Sequence, residues 1–147
     1  MSNHNVYEDE LEQAALEWFE ELNYEIAFAP DLSPGGDYPE RSDYSDVILE
    51  ERLRDALKRI NPDLPKEALD DALHQILVPL NPALIDNNHL FQKMVTDGVN
   101  ATFRASDGRI VSKQVRIFDF EKAENNDFLA VNQFTVIENR VEKRPDV

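Results

Sequence analysis

The sequence contains no cysteine. Disulfides, thiolate metal sites and a cysteine nucleophile are therefore excluded, and the absence fits a reducing compartment, so the expected localisation is cytoplasmic. Long apolar runs are missing as well. No stretch nears the roughly 20 residues that a membrane span needs, and "MSNHNVYEDE" lacks the basic-then-apolar shape of a signal peptide. There is no glycine-rich phosphate loop: Gly35-Gly36 is an isolated pair in a polar stretch and reads as a turn. No Gly-x-Ser-x-Gly elbow occurs. The three histidines, His4, His74 and His89, have no acidic or histidine partner at i+3 or i+4 on the same face, so they read as surface residues rather than metal ligands.

Positive charge is also in short supply, and unevenly so. The net charge is −15, and residues 1–103 hold 7 Lys/Arg against 22 Asp/Glu, while residues 104–147 hold 8 of each. A chain this acidic repels a polyanion at long range, which argues against a free-standing nucleic-acid binder. A role on DNA requires a local site or basic partners.

What is present is a chain of 147 residues, 41% hydrophobic and 31% charged, enough for one domain with its own core. From Tyr7 to Asn23, Leu11, Ala15, Trp18, Phe19 and Leu22 recur at helical spacing, which predicts an amphipathic helix. "APDLSPGGDYPERSDYSD" reads as a loop. Three helices follow. The first carries Leu49, Leu53, Leu57 and Ile60 with Asp46 as cap and Asn61-Pro62 as stop. The second has Pro65 in its first turn and Leu69, Ala72, Leu73 and Ile76 facing inward. The third is capped by Asn81, has Pro82 in its first turn and ends at Gly98. The period then changes to two. Val99, Ala101 and Phe103, a turn at Ser106-Asp107-Gly108, then Val111, Val115 and Ile117 predict a β-hairpin. "FLAVNQFTVIE" is the most strand-like stretch, and Arg144-Pro145-Asp146 should open one more strand.

Most of the 30 acidic residues solvate helix faces. Two stand apart. Asp146, beside the strand 128–138, could hold a divalent cation if other carboxylates converge on it. Glu12 borders the apolar face of the first helix and could point toward the sheet or lie on the surface. Asn132 and Gln133 interrupt the apolar strand and, as neighbours on extended backbone, should point to opposite faces, with a hydrogen bond to loop backbone as the simplest role for the inward one.

"VILEERLRDALKRINPDLPKEALDDAL", "ENNDFLAVNQFTVIE" and "RPDV" resemble the amino-terminal region of the R (restriction and motor) subunit of type I restriction-modification enzymes, over essentially the whole chain. The resemblance implies the opening of a nuclease domain of the PD-(D/E)xK type. By it, Asp146 is the motif aspartate, Pro145 its proline, and Glu12 the glutamate that the first helix carries to the metal site; both are expected as catalytic and metal-binding residues. Mg2+ is the implied cofactor, with ATP in motor domains elsewhere in the parent. The implied partners are duplex DNA and the modification and specificity subunits. The sequence stops before the Glu-x-Lys and Gln-x-x-x-Tyr elements of that family, so it is expected to be a truncated and inactive piece of an ATP-dependent endonuclease.

The expected fold is α+β: a truncated restriction-endonuclease-like core with a helical insertion and an antiparallel β-hairpin. Its parts are a core helix (1–25), a loop (26–46), a three-helix insertion (47–97) and β-strands (98–147). Trp18, Phe19 and Leu22 should pack the first helix across the strand 128–138, bringing Glu12 near Asp146. Two other readings compete: an acidic regulatory or subunit-docking module built on residues 47–97, and an unrelated α+β binding domain.

Overall fold

The computed structural model describes residues 3–78 and 83–147, with side chains from Tyr7 onward. The chain is mixed α and β and divides into two compact units. One joins residues 1–50 to residues 127–147; the other is residues 51–126. The hairpin therefore falls in the same compact unit as the helices that precede it.

In the first unit, α1 (Asn3–Glu21) leads into β1 (Glu25–Phe28) and a short α2 (Ala29–Leu32). The helix stops at Asn23, whose φ of 64° is left-handed. The Asn23 N–H donates to the Glu20 carbonyl at 2.9 Å and the Tyr24 N–H to the Phe19 carbonyl at 3.0 Å. That is a Schellman ending, with asparagine in the position glycine usually fills. Its accompanying apolar contact is present: the Phe19 and Tyr24 rings lie 5.0 Å apart, and Tyr24 continues to Phe128 at 5.2 Å.

This aromatic relay replaces the expected packing. Phe19 is half-buried, but Trp18 and Leu22 are each 67% exposed and Leu11 69%. The face turned inward runs through Glu12, Ala15, Leu16 and Phe19, all half-buried and at helical spacing. Periodicity marked the apolar residues, but α1 turns a different stripe toward β1 and β4 (Leu129–Asn132).

The region expected to be a loop contributes structure of its own. β1 pairs in parallel with β4, with Glu25 opposite Leu129 and Phe28 opposite Asn132. Ser33-Pro34-Gly35-Gly36 is a turn, as read: the Gly36 N–H donates to the Ser33 carbonyl at 2.9 Å and Gly35 has φ 81°. A side chain at Gly36 would meet the Asp31 carbonyl oxygen at 2.3 Å. Asp46 caps no helix; its carboxylate accepts from Ser42 and Asp43 upstream.

The expected long strand 128–138 is also broken. After β4 the chain turns at Gln133 (φ 58°) and resumes as β5 (Val136–Glu138), which forms a separate antiparallel pair with β6 (Val141–Lys143). Asn139 and Arg140, both at positive φ, make the two-residue connection.

The second unit holds α3 (Glu50–Ile60, from Glu51 on), α4 (Lys66–Leu77), α5 (Leu84–Asp97) and the hairpin β2 (Val99–Arg104) with β3 (Ile110–Val115). The inward residues of α4 are those the sequence marks: Leu69, Ala72, Leu73 and Ile76 are buried. They lie against the hairpin rather than inside a three-helix bundle, and α5 buries no residue. Asn81 and Pro82, expected to start that helix, lie outside the described residues. Gly98 ends it as expected, at φ 80°, where a side chain would collide with the Val115 carbonyl oxygen at 2.6 Å.

Two buried polar residues hold this unit together. Asn61 donates to the Leu57 and Arg116 carbonyls and accepts from the Arg116 N–H, tying the end of α3 to the chain leaving β3. Asp119, 2% exposed, accepts from the side-chain amide of Asn125 and from the N–H groups of Lys122 and Glu121. Those bonds, the Asn125 amide foremost, hold its carboxyl below the ordinary carboxylate value. A depressed folded pKa contributes stability above the unfolded value, about 3.9, and loses it as pH falls through the folded one. Urea unfolding at a series of pH values should therefore show acid destabilisation setting in below about pH 4, with Asp119→Asn less stable at neutral pH and less sensitive to acid. Parallel pH profiles for the two proteins would contradict this.

Candidate functional site

Beta-4 ends at a conformational exception that gathers the polar groups of the first unit. On extended backbone Asn132 and Gln133 would point to opposite faces. The left-handed φ of Gln133 rotates the chain between them, and both amides reach one carboxylate: Asn132 Nδ2 donates to Glu12 Oε1 at 2.6 Å and Gln133 Nε2 to Glu12 Oε2 at 2.9 Å. This corrects the expected opposed orientation of the two residues, and the expected bond to loop backbone. Glu12 is half-buried and points at the strand end, not into solvent.

Asp146 does not open a strand. Residues 144–147 follow β6 as irregular chain, and Asp146 is exposed. Its backbone carbonyl nonetheless accepts the Gln133 N–H at 3.0 Å. Gln133 thus touches the Glu12 carboxylate through its side chain and the Asp146 backbone carbonyl through its main chain. A carboxylate offers about four lone-pair positions, and each Glu12 oxygen uses one on an amide. His74 and His89 are exposed, and among the described residues no group of three or more His, Cys, Asp or Glu side chains is arranged to hold a metal.

Arg41 was not nominated from the sequence. It is the single Lys or Arg among residues 1–50, against 14 Asp/Glu, and that isolation is the signal by which it could have been found. Only 5% exposed, its guanidinium donates to the Asp46 carbonyl at 3.2 Å, the Ser33 hydroxyl at 3.1 Å and the Thr135 carbonyl at 2.6 Å. It stacks 4.0 Å from the centre of the Phe134 ring and 5.1 Å from that of Tyr44. Burial lowers its pKa, with Tyr44, Asp46 and Asp43 acting in the opposite direction. The Ile137 N–H also donates to the Tyr44 carbonyl at 3.1 Å, so the loop 33–46 is fastened to the chain just after Gln133.

A helix glutamate is thus held by two amides at the end of a parallel strand pair on a mixed α/β scaffold. The family described as "Type I restriction enzyme R protein N terminus" matches residues 5–147. The chain is 33% identical over 141 residues to the type I restriction enzyme HindI endonuclease subunit of Haemophilus influenzae, covering 95% of this chain and 13% of that protein. It is 33% identical over 140 residues to the putative type I restriction enzyme MjaIXP endonuclease subunit of Methanocaldococcus jannaschii, covering 93% and 13%. No solved structure matches. This chain belongs to the family of type I restriction enzyme R protein amino-terminal regions. It spans about an eighth of the length of these curated relatives.

The two amide bonds to Glu12 have a measurable weight. Glu12→Gln replaces one acceptor oxygen by a donor that opposes either Asn132 or Gln133, and should lower stability by about 1–2 kcal/mol in urea unfolding without metal. An unchanged midpoint would mean that the carboxylate is not engaged in solution.

Proposed function

We propose that Glu12 and Asp146 are two carboxylates of a magnesium-dependent phosphodiesterase site, and that the chain is the opening part of the nuclease region of a type I R subunit, with a restriction-endonuclease-like core of the PD-(D/E)xK type. The observation that carries this reading is Gln133, which joins the Glu12 carboxylate and the Asp146 backbone at one strand end.

The donor chemistry fits the ion. Mg2+ favours hard oxygen ligands and is often held by one or two carboxylates, with water and substrate phosphate completing its shell. Glu12 retains free lone pairs in a fixed orientation, and Asp146 is accessible. When bound, the ion polarises a phosphoryl oxygen and lowers the pKa of a bound water. The residues of this chain supply the holding of charge: Asn132 and Gln133 orient Glu12, and the pair of acids offsets the cation. Among the described residues no group of three or more acids or histidines is arranged to hold an ion, and the chain by itself is proposed to be inactive. In the full subunit, duplex DNA is the substrate, ATP drives translocation, modification and specificity subunits are the partners, and the cytoplasm is the compartment. No helix among the described residues is long and apolar enough to cross a membrane.

A second reading has its own support. Helix α5 buries no residue and presents Leu84, Ile85 and Phe91 to solvent, which suits a docking role for residues 51–126. Residues 47–97, the segment expected to form an acidic docking module, hold 9 Asp/Glu and 6 Lys/Arg, while the compact unit 51–126 as a whole is close to neutral, with 12 and 11.

Paramagnetic Mn2+ added to the labelled chain should broaden resonances around Glu12, Gln133 and Asp146. Glu12→Gln and Asp146→Asn should each weaken the effect about tenfold or more, and no magnesium-dependent cleavage of duplex DNA should occur. Broadening indifferent to both substitutions, or cleavage by the 147-residue chain, would sink the reading. Gel-shift titration at physiological salt should find only weak duplex binding, as a net charge of −15 requires. Sub-micromolar, salt-sensitive binding would instead point to a basic face, with Arg104, Arg109, Lys113 and Arg116 of the hairpin region as its candidates.

A further inference from the structure

We infer that Arg41 is the positioning residue of this site: it holds the backbone turn at Gln133 and thereby aims the Asn132 and Gln133 amides at Glu12. The inference rests on the proposed metal site for its functional meaning, but its geometry stands independently.

A glutamine at φ 58° persists only where its surroundings over-determine it. Before the turn, residues up to Asn132 are fixed by parallel pairing with β1, ending at Phe28 opposite Asn132. The Gln133 N–H is held by the Asp146 carbonyl. After the turn, the next two residues belong to Arg41. Its guanidinium lies against the face of Phe134 at 4.0 Å and bonds the Thr135 carbonyl at 2.6 Å.

The same planar group is anchored behind by Ser33 and by the Asp46 carbonyl. An ammonium cannot reproduce this, because a point donor lacks both the fork and the flat face that stacks on the ring. Burying this cation is costly, and its Nε is left without a hydrogen-bond partner. An apolar side chain there would avoid that desolvation cost. What an apolar residue could not supply is the grip on the Thr135 carbonyl, two residues from the ligand-orienting glutamine.

The test uses the 15N-labelled 147-residue chain and reads the side-chain amide resonances of Asn132 and Gln133. Glu12→Gln sets the reference by moving both. Arg41→Lys should shift both amides, and the Gln133 backbone amide, away from their wild-type positions, while resonances from residues 51–126 stay in place. Wild-type positions for the Asn132 and Gln133 amides in Arg41→Lys would overturn the inference. If Arg41→Lys unfolds residues 1–50, Phe134→Leu decides, since it removes only the ring contact: it should shift the same amides in the same direction by a smaller amount, and no shift there overturns the inference. Mn2+ broadening on the same samples separates the two ideas. Wild-type protein that binds no Mn2+ removes the metal reading and leaves the amide result intact, whereas Mn2+ bound equally well by wild type and Arg41→Lys removes the functional role of Arg41.

Discussion

Left-handed backbone at a residue with a side chain costs on the order of 1–2 kcal/mol, and the first unit is arranged around one such residue, Gln133. Straight backbone there would carry β4 on into β5 as one strand and aim Asn132 and Gln133 to opposite sides. The turn ends the pairing with β1, sends the chain into the separate β5–β6 hairpin, and points two neighbouring amides at Glu12. The orientation of α1 follows, since Glu12 must face the strand end and Phe19 must meet the Tyr24 ring. Trp18 and Leu22 are left outside as a result.

The charge asymmetry of the chain also takes a structural form. Residues 1–50 and 127–147 hold 4 Lys/Arg against 18 Asp/Glu, so nearly all of the net charge of −15 sits on the unit that carries the candidate site. Counting along the chain placed the excess in the first two thirds, because the two segments of that unit are separated by residues 51–126. A phosphate approaching such a surface meets repulsion that a bound divalent cation or a basic neighbour must offset.

The helices that bury an unbroken apolar stripe were legible in the sequence. Leu57 and Ile60 on α3, and Leu69, Leu73 and Ile76 on α4, are buried where periodicity put them. The β2–β3 hairpin was legible because alternation brackets Asp107-Gly108, and Gly98 because only a residue without Cβ fits against Val115. The family was legible from the wording of the chain around residues 125–147. Three features were not. Strand β1 is four residues long beside a proline- and glycine-rich stretch, and its partner lies near the other end of the sequence. The turn at Gln133 carries no glycine to announce it. The bonds of Arg41 are long-range and largely to backbone, which composition does not register. Glu12 was nominated for the face it borders, and its partners emerged only from the fold.

The parallel pairing of β1 with β4 has a kinetic side. Glu25 meets Leu129 only after the intervening chain, including an entire compact unit, has been made and brought round. Residues 51–126 pair within themselves through the local β2–β3 hairpin and α4. Loop-closure entropy sets against the distant pairing and leaves the local one nearly untaxed. By loop-closure entropy alone, pairing within residues 51–126 is favoured over the distant pairing that builds the strand end holding Glu12, Asn132 and Gln133. During synthesis the Glu12 carboxylate has neither of its amide partners until Asn132 and Gln133 have been made.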